Sequence, residues 1–198
     1  MKTVLFFILD QWADWEAAYV SSAIRMLGQN QFTIKTVSIS KDKVESIGGF
    51  QVIPDYEISS CPTDYEALIL VGGMSWRSDI ALQVKPLVEQ CLSKQKILGG
   101  ICDAAAFLGA IGALNYAAHT GNTPEDLKAW AGASYTNEKN YKYRQAVRDH
   151  NIITANGTAA LEFAREILLA LKAASENIIQ EWYDFHKLGY YNAPMPHM

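Results

Sequence analysis

A cysteine standing between an apolar run and a helix-forming run is the residue of this sequence best placed to do chemistry. In Lys96-Ile97-Leu98-Gly99-Gly100-Ile101-Cys102-Asp103-Ala104-Ala105-Ala106-Phe107-Leu108, a strand-like stretch stops at Cys102 and helix formers follow with almost no connecting loop. In so tight a turn the side chain projects from the carboxyl end of a sheet, and small neighbours such as Gly100 and Ala104 let the strained backbone fit. The following helix points its N-terminus at the sulfur, and its dipole and free N–H groups favour thiolate over thiol. The chemistry this predicts is nucleophilic attack on an electrophilic carbon. The alternative reading of Cys102 is a small, buried apolar side chain, the usual fate of a free cysteine.

Two more segments end at the same edge. Leu68-Ile69-Leu70-Val71-Gly72-Gly73-Met74 is a strand closed by paired glycines, which let a backbone N–H come close to a substrate. The first apolar run ends at Leu9-Asp10 and leads into Ala13-Asp14-Trp15-Glu16. Ligands of open α/β sheets sit beyond the carboxyl ends of the strands, so these three loops are expected to converge on one pocket.

The elements that must position them follow from periodicity. Apolar runs of strand length at 3–9, 32–38, 67–71, 97–101 and 152–155 alternate with longer stretches of helical period, the pattern of a mostly parallel sheet covered by helices. Residues 43–53 add a hairpin around Gly48-Gly49. Helices are expected at 14–28, 79–94, 103–114, 124–131, 158–173 and 175–187, the fourth opened by Thr123-Pro124-Glu125 as N-cap, N1 proline and acidic first turn. An aromatic tail (Trp182, Tyr183, Phe185, Tyr190, Tyr191) closes the chain; it packs on its own domain or offers a dimer contact.

The bulk numbers restrict the function classes. The 198 residues, 49% hydrophobic and 19% charged, suit one globular domain over 1–198. A formal net charge of -4 gives no broad reason to bind nucleic acid or an anionic membrane, and the basic cluster Lys139, Lys142, Arg144 and Arg148 reads first as a solvated face. The opening run is too short for a secretory core and meets Asp10 without a small-residue cleavage site, and no stretch approaches about 18 apolar residues. Cys61, Cys91 and Cys102 are odd in number and widely spaced, which fits a reducing cytoplasm better than a disulfide framework. No phosphate loop, His/Asp metal cluster or dinucleotide fingerprint appears, so no metal or cofactor is expected.

The strand-Gly-Gly turn, the Gly-Ile-Cys-x-Ala elbow and the segment Ile152-Ile153-Thr154-Ala155-Asn156-Gly157-Thr158-Ala159-Ala160-Leu161-Glu162-Phe163-Ala164 together resemble the ThiJ/PfpI family of the class I glutamine amidotransferase-like superfamily. The resemblance covers nearly the whole chain. It implies a flavodoxin-like three-layer sandwich, Cys102 as nucleophile, Glu16 as the carboxyl partner of its sulfur with Asp14 as fallback, and backbone N–H groups of Gly73 and Asp103 as the oxyanion hole. By the same matching, His119 is the candidate general base, with a loop-anchoring histidine as its alternative. Asp14, Trp15, Gly72 and Thr120 are placed around the pocket. Family members are usually homodimers, which makes one the expectation here.

An ionised carboxylate raises a nearby thiol's pKa by repulsion, whereas a protonated Glu16 donates to the thiolate. The pairing therefore requires an apolar pocket that keeps the Glu16 proton, with Trp12, Trp15 or Trp76 in its wall; otherwise Glu16 is a solvated first-turn acid. The sequence departs from the protease-like branch in one respect: Asp103 stands after the nucleophile where that branch has its catalytic histidine, which counts against a peptidase. The function expected is a hydrolase or glyoxalase-like lyase acting on a small carbonyl or amide compound. The alternative is a redox-responsive or stress-related protein whose Cys102 is oxidised without turnover.

Overall fold

The computed structural model describes residues 1–197. In chain order its elements are β1 (Lys2–Phe7), α1 (Asp14–Leu27), β2 (Phe32–Ser38), β3 (Val44–Glu45), β4 (Gln51–Val52), β5 (Tyr56–Glu57), β6 (Ala67–Leu70), α2 (Lys85–Ser93), β7 (Ile97–Ile101), α3 (Asp103–Ala110), α4 (Pro124–Ala131), β8 (Ala146–Asp149), β9 (Ile152–Ala155), α5 (Ala160–Leu171) and α6 (Glu176–Leu188). Seven strands form one sheet in the order β5-β2-β1-β6-β7-β9-β8, parallel throughout except β8, while β3 and β4 pair separately as the hairpin. The α/β class read from the periodicity and the layered sandwich implied by the resemblance are the fold.

Both faces of the sheet are covered, so alternate residues of one strand feed different cores. In β1, Val4 and Phe6 face a layer with Ile24, Phe163, Ile167 and Trp182 from α1, α5 and α6; Leu5 and Phe7 face Trp76, Val88 and Phe107 on the side of α2 and α3. A strand buried on both faces reads as unbroken apolar sequence, which is why β1 and β6 were legible. The glycine in mid-strand of β7 lets α5 settle: a methyl group on Gly99 would lie 2.9 Å from both Ile167 Cδ1 and Phe163 Cζ.

The elements depart from the sequence reading chiefly in two helix starts or ends and two edge strands. The stretch 79–94 opens as a 3₁₀ turn over Asp79–Val84 and becomes α2 only at Lys85, where Pro86 sits in the first turn and needs no N–H acceptor. The helix expected to 114 stops at Ala110, before Gly112 at φ 79°. The edge strands β5 and β8 were missed, being two and four residues long and without an apolar run. Among the described residues no helix is long and apolar enough to cross a membrane.

Candidate active site

Parallel strands deliver their carboxyl ends to one edge, and there β1, β6, β7 and β9 present Trp12, Gly72-Gly73, Cys102 and Asn156-Gly157. Cys102 sits between β7 and α3 at φ 59°, ψ −130°, a conformation that L side chains rarely adopt and that costs on the order of 1–3 kcal/mol. The sharp turn is held by its own N–H, which donates to Ala155 O at 3.0 Å and ties the elbow to β9. The sulfur then faces the first turn of α3, where the Asp103 N–H lies close enough to favour the thiolate. Asn122 Nδ2 donates to it at 3.6 Å.

Glu16 is 0% exposed although it lies in the first turn of a surface helix. The solvated alternative is thereby excluded. Neither carboxyl oxygen has a well-formed hydrogen bond; the polar groups beside them are the Cys102 side chain and the Gly72 N–H. Two glycines make the approach of acid and thiol sterically feasible. A methyl on Gly72 would collide with Glu16 Oε2 and lie 2.7 Å from Cys102 Cβ; one on Gly157 would lie 2.9 Å from Cys102 Sγ and 3.4 Å from Glu16 Oε1.

Burial pushes the Glu16 carboxyl up to about 7. Burial first, and the Glu16 charge second, push the Cys102 thiol up to about 11, outweighing the Asn122 and Asp103 donors. The lowering expected from the helix dipole alone is therefore reversed by desolvation. Considered together, the two groups surrender their first proton near pH 7, chiefly from the carboxyl, and hold the second, on the thiol, far longer.

The remaining pocket residues frame this pair. Trp15 is half-exposed and donates from Nε1 to Gly157 O at 3.1 Å, pinning the loop after β9. Asn122 Oδ1 accepts from Gly157 N at 2.9 Å, so one amide side chain holds both that loop and the sulfur. Thr120 is buried, its N–H donating to Thr154 Oγ1 at 2.8 Å. Gly73, at φ 150°, lies against Trp12 in an antiparallel bridge whose bonds run from Ala13 N to Gly72 O and from Met74 N to Gln11 O. That pattern leaves the Gly73 N–H without a backbone acceptor. Asp14 accepts from Gly48 N at 2.8 Å and organises the hairpin turn, which separates its role from that of Glu16.

Two expectations fail on geometry. His119 is buried with both ring nitrogens engaged: Nδ1 donates to Ala117 O at 2.8 Å, so Nε2 accepts from the Tyr135 hydroxyl at 2.6 Å. Burial also holds its ring below the usual histidine range. It anchors the loop, and Asn122 takes the place at the sulfur. Trp76 likewise packs between Phe7 and Phe107 in the core of the other face, with Nε1 on Val71 O, and does not wall the acid.

Sequence reasoning missed Asn122 and Arg77. Arg77 Nε and Nη2 grip the two carboxylate oxygens of Asp103 at 2.9 and 3.2 Å, and Nη2 also reaches Asp126 Oδ2 at 2.6 Å. Its guanidinium lies over Trp130, 4.9 Å from the ring centroid. The acid next to the nucleophile is thus neutralised. Among the described residues no three His, Cys, Asp or Glu side chains cluster as a metal site.

A nucleophile elbow on such a sheet is shared by several families, and comparison with known sequences decides among them. The sequence profile of the DJ-1/PfpI family matches residues 2–170. The chain belongs to the DJ-1/PfpI family. This is the ThiJ/PfpI family of the class I glutamine amidotransferase-like superfamily. Among its relatives, the uncharacterized protease YdeA of Bacillus subtilis is 37% identical over 195 residues, spanning 97% of this chain and 94% of that protein. The uncharacterized protease YoaZ of the same organism is 30% identical over 192 residues, spanning 94% and 91%. The crystal structure of the DJ-1 superfamily protein Atu0886 from Agrobacterium tumefaciens superposes with a TM-score of 0.84 at 32% identity, covering 94% of this chain and all of that one.

Proposed function

We propose that this DJ-1/PfpI protein is a cysteine-dependent hydrolase or glyoxalase-like lyase acting on a small carbonyl or amide compound, with Cys102 as nucleophile and Glu16 as its proton partner. The observation that carries the reading is the fully buried, unpartnered Glu16 carboxyl facing Cys102 across Gly72 and Gly157. A carboxyl in that setting is an expensive structural choice, since an unsatisfied buried polar group costs about 1–3 kcal/mol. Its use is to hold a proton at neutral pH.

In this reading the sulfur's electron pair forms a C–S bond to the carbonyl carbon while the C=O pair moves onto oxygen. The Gly73 and Asp103 N–H groups meet that oxyanion. With an amide, Glu16 gives its proton to the departing amine and water then cleaves the thioester. With a 2-oxoaldehyde, ionised Glu16 moves a proton from the sulfur-bearing carbon to the neighbouring carbonyl carbon, and water then cleaves the resulting thioester to release the 2-hydroxy acid and the thiol.

The relatives named as proteases suggest a peptide substrate. Against it stand Asp103, neutralised by Arg77 after the nucleophile, and His119, whose ring nitrogens are both committed. A sulfur without a histidine base suits substrates more electrophilic than a peptide bond. The test is turnover of methylglyoxal, small amides and a casein digest by the wild type and Cys102→Ser; turnover of the digest alone, lost in Cys102→Ser, would replace this reading with a peptidase.

A second reading has its own support, since the two N–H donors and the Glu16 proton around Sγ would also hold a sulfinate. Hydrogen peroxide would oxidise the thiol, each peroxide being reduced to water, without turnover of a carbon substrate. A homodimer in a cytoplasmic setting belongs to the proposal as well. Its face would be the exposed apolar hairpin side chains Ile47, Phe50 and Ile53, and a monomeric sedimentation mass would remove it.

A further inference from the structure

We propose that the cleft beside Cys102 takes a substrate with an anionic group, a carboxylate or a phosphate ester, and that Arg144 recognises that group. The inference rests on the nucleophile reading and adds the charge class of the substrate.

The cleft, of about 310 Å³, is lined by Thr120, Asn122, Tyr143, Arg144, Gln145 and Asn156 among others. Asn122 joins it to the chemistry, because this lining residue reaches Cys102 Sγ at 3.6 Å and Gly157 N at 2.9 Å. Cys102 itself does not line the cleft, so the Asn122 side chain is the link between a molecule in it and the sulfur. The volume suits a metabolite-sized compound.

The charge of the lining is one-sided. Arg144 is its only charged residue, and no Asp or Glu contributes. The other arginines are all engaged: Arg77 with Asp103 and Asp126, Arg148 and Arg165 with Glu166, and Arg25 with Phe32 O. Among the described residues the Arg144 guanidinium has neither a salt bridge nor a hydrogen bond. Its backbone is nevertheless fixed, the carbonyl accepting from Thr120 Oγ1 and the N–H donating to Lys142 O, each at 2.8 Å. An anchored backbone with an unspent planar fork is what bidentate capture of a carboxylate or phosphate requires. Lys142, the neighbour in the chain, adds positive field in a protein whose formal net charge is -4. The basic cluster that the sequence offers as a solvated face therefore has one member at the active-site cleft.

Iodoacetate and iodoacetamide place the same electrophilic carbon before the sulfur and differ in charge, so their rate ratio at Cys102, read by peptide mass spectrometry, reports the charge preference of the approach. Arg144→Gln is expected to lower the iodoacetate-to-iodoacetamide ratio by roughly fivefold while leaving the iodoacetamide rate unchanged. An unchanged ratio overturns the proposal. A Cys102 unreactive to both reagents is instead a failure of the nucleophile reading, and a second arm then decides the anion site. In it, malonate or inorganic phosphate is titrated into the wild type and Arg144→Gln while the Asn122 and Gln145 amide resonances are followed. Saturable shifts lost in Arg144→Gln support the site, and the tighter of the two anions distinguishes carboxylate from phosphate. The absence of shifts with both anions refutes it.

Discussion

Arg77 holds Asp103 through both carboxylate oxygens, at 2.9 and 3.2 Å, and so neutralises the acid that directly follows the nucleophile. Arg77 is 43% exposed and Asp103 19%, so solvent screens the pair from the arginine side and its contribution to stability is modest. Its consequence is electrostatic: the Asp103 charge is one of the influences that raise both Glu16 and Cys102. Arg77→Ala should move the alkylation midpoint of Cys102 upward by on the order of one pH unit with little change in Tm. Adding Asp103→Asn should bring it back; a midpoint that stays shifted in the double variant would mean that Arg77 acts through loop structure instead.

Glu16 makes stability depend on pH. Its carboxyl titrates near 7 in the fold against an ordinary value of 4.5, so the folded chain binds this proton more tightly than the unfolded chain does. Stability from this group is therefore full below about pH 4.5 and falls as pH rises through 7, by at most roughly 3 kcal/mol. Glu16→Gln removes the dependence. Thermal melts should show the variant more stable than wild type at pH 8 and similar to it near pH 4.5, and parallel curves would contradict the buried acid.

The two glycines should fail differently. At Gly72 a methyl meets fixed backbone as well as Glu16, including Ile101 O at 2.7 Å, so Gly72→Ala should cost about 1–3 kcal/mol. At Gly157 the nearest atom is the sulfur itself. Gly157→Ala should keep Tm nearly unchanged yet slow iodoacetamide at Cys102 by about tenfold or more; unimpaired alkylation would show that the sulfur turns easily away.

Strain at the elbow has its own signature. Glycine relaxes a residue held at φ 59° and alanine does not, so Cys102→Gly should be more stable than Cys102→Ala by about 1 kcal/mol, the reverse of the usual order. Calorimetry that ranks alanine first would remove the strain.

His119→Phe should cost about 1–3 kcal/mol, because it strands the Tyr135 hydroxyl in the interior, while the Ala117 carbonyl keeps its bond from Asn137 Nδ2. Cys102 alkylation should be unaffected in the folded variant. A selective loss of reactivity would restore the histidine to a catalytic role.

What could be read in the sequence was what is contiguous in it. The β7-Cys102-α3 elbow declares itself because strand, nucleophile and helix follow one another, and Gly72-Gly73 closes an unbroken apolar run. Glu16 came from resemblance; its complete burial depends on how α1 packs over the sheet, which periodicity does not reveal. Asn122, Arg77 and Arg144 were illegible as site residues because each acts across a fold-dependent distance, such as the sequence separation of 26 from Arg77 to Asp103. His119 misled for the same reason, since Tyr135, which occupies its Nε2, joins it only through the loop that both shape.

The central claim, that Cys102 and Glu16 share a titrating proton, is tested most directly by the pH dependence of iodoacetamide alkylation at Cys102, Cys61 and Cys91 in the native wild type and Glu16→Gln. Burial pushes all three thiols up to about 11, so the account predicts that Cys102 outpaces the other two only through the proton exchanged with Glu16, with an inflection near pH 7 that disappears in Glu16→Gln. A Cys102 no faster than Cys61 and Cys91, or a profile identical in the two proteins, would contradict it.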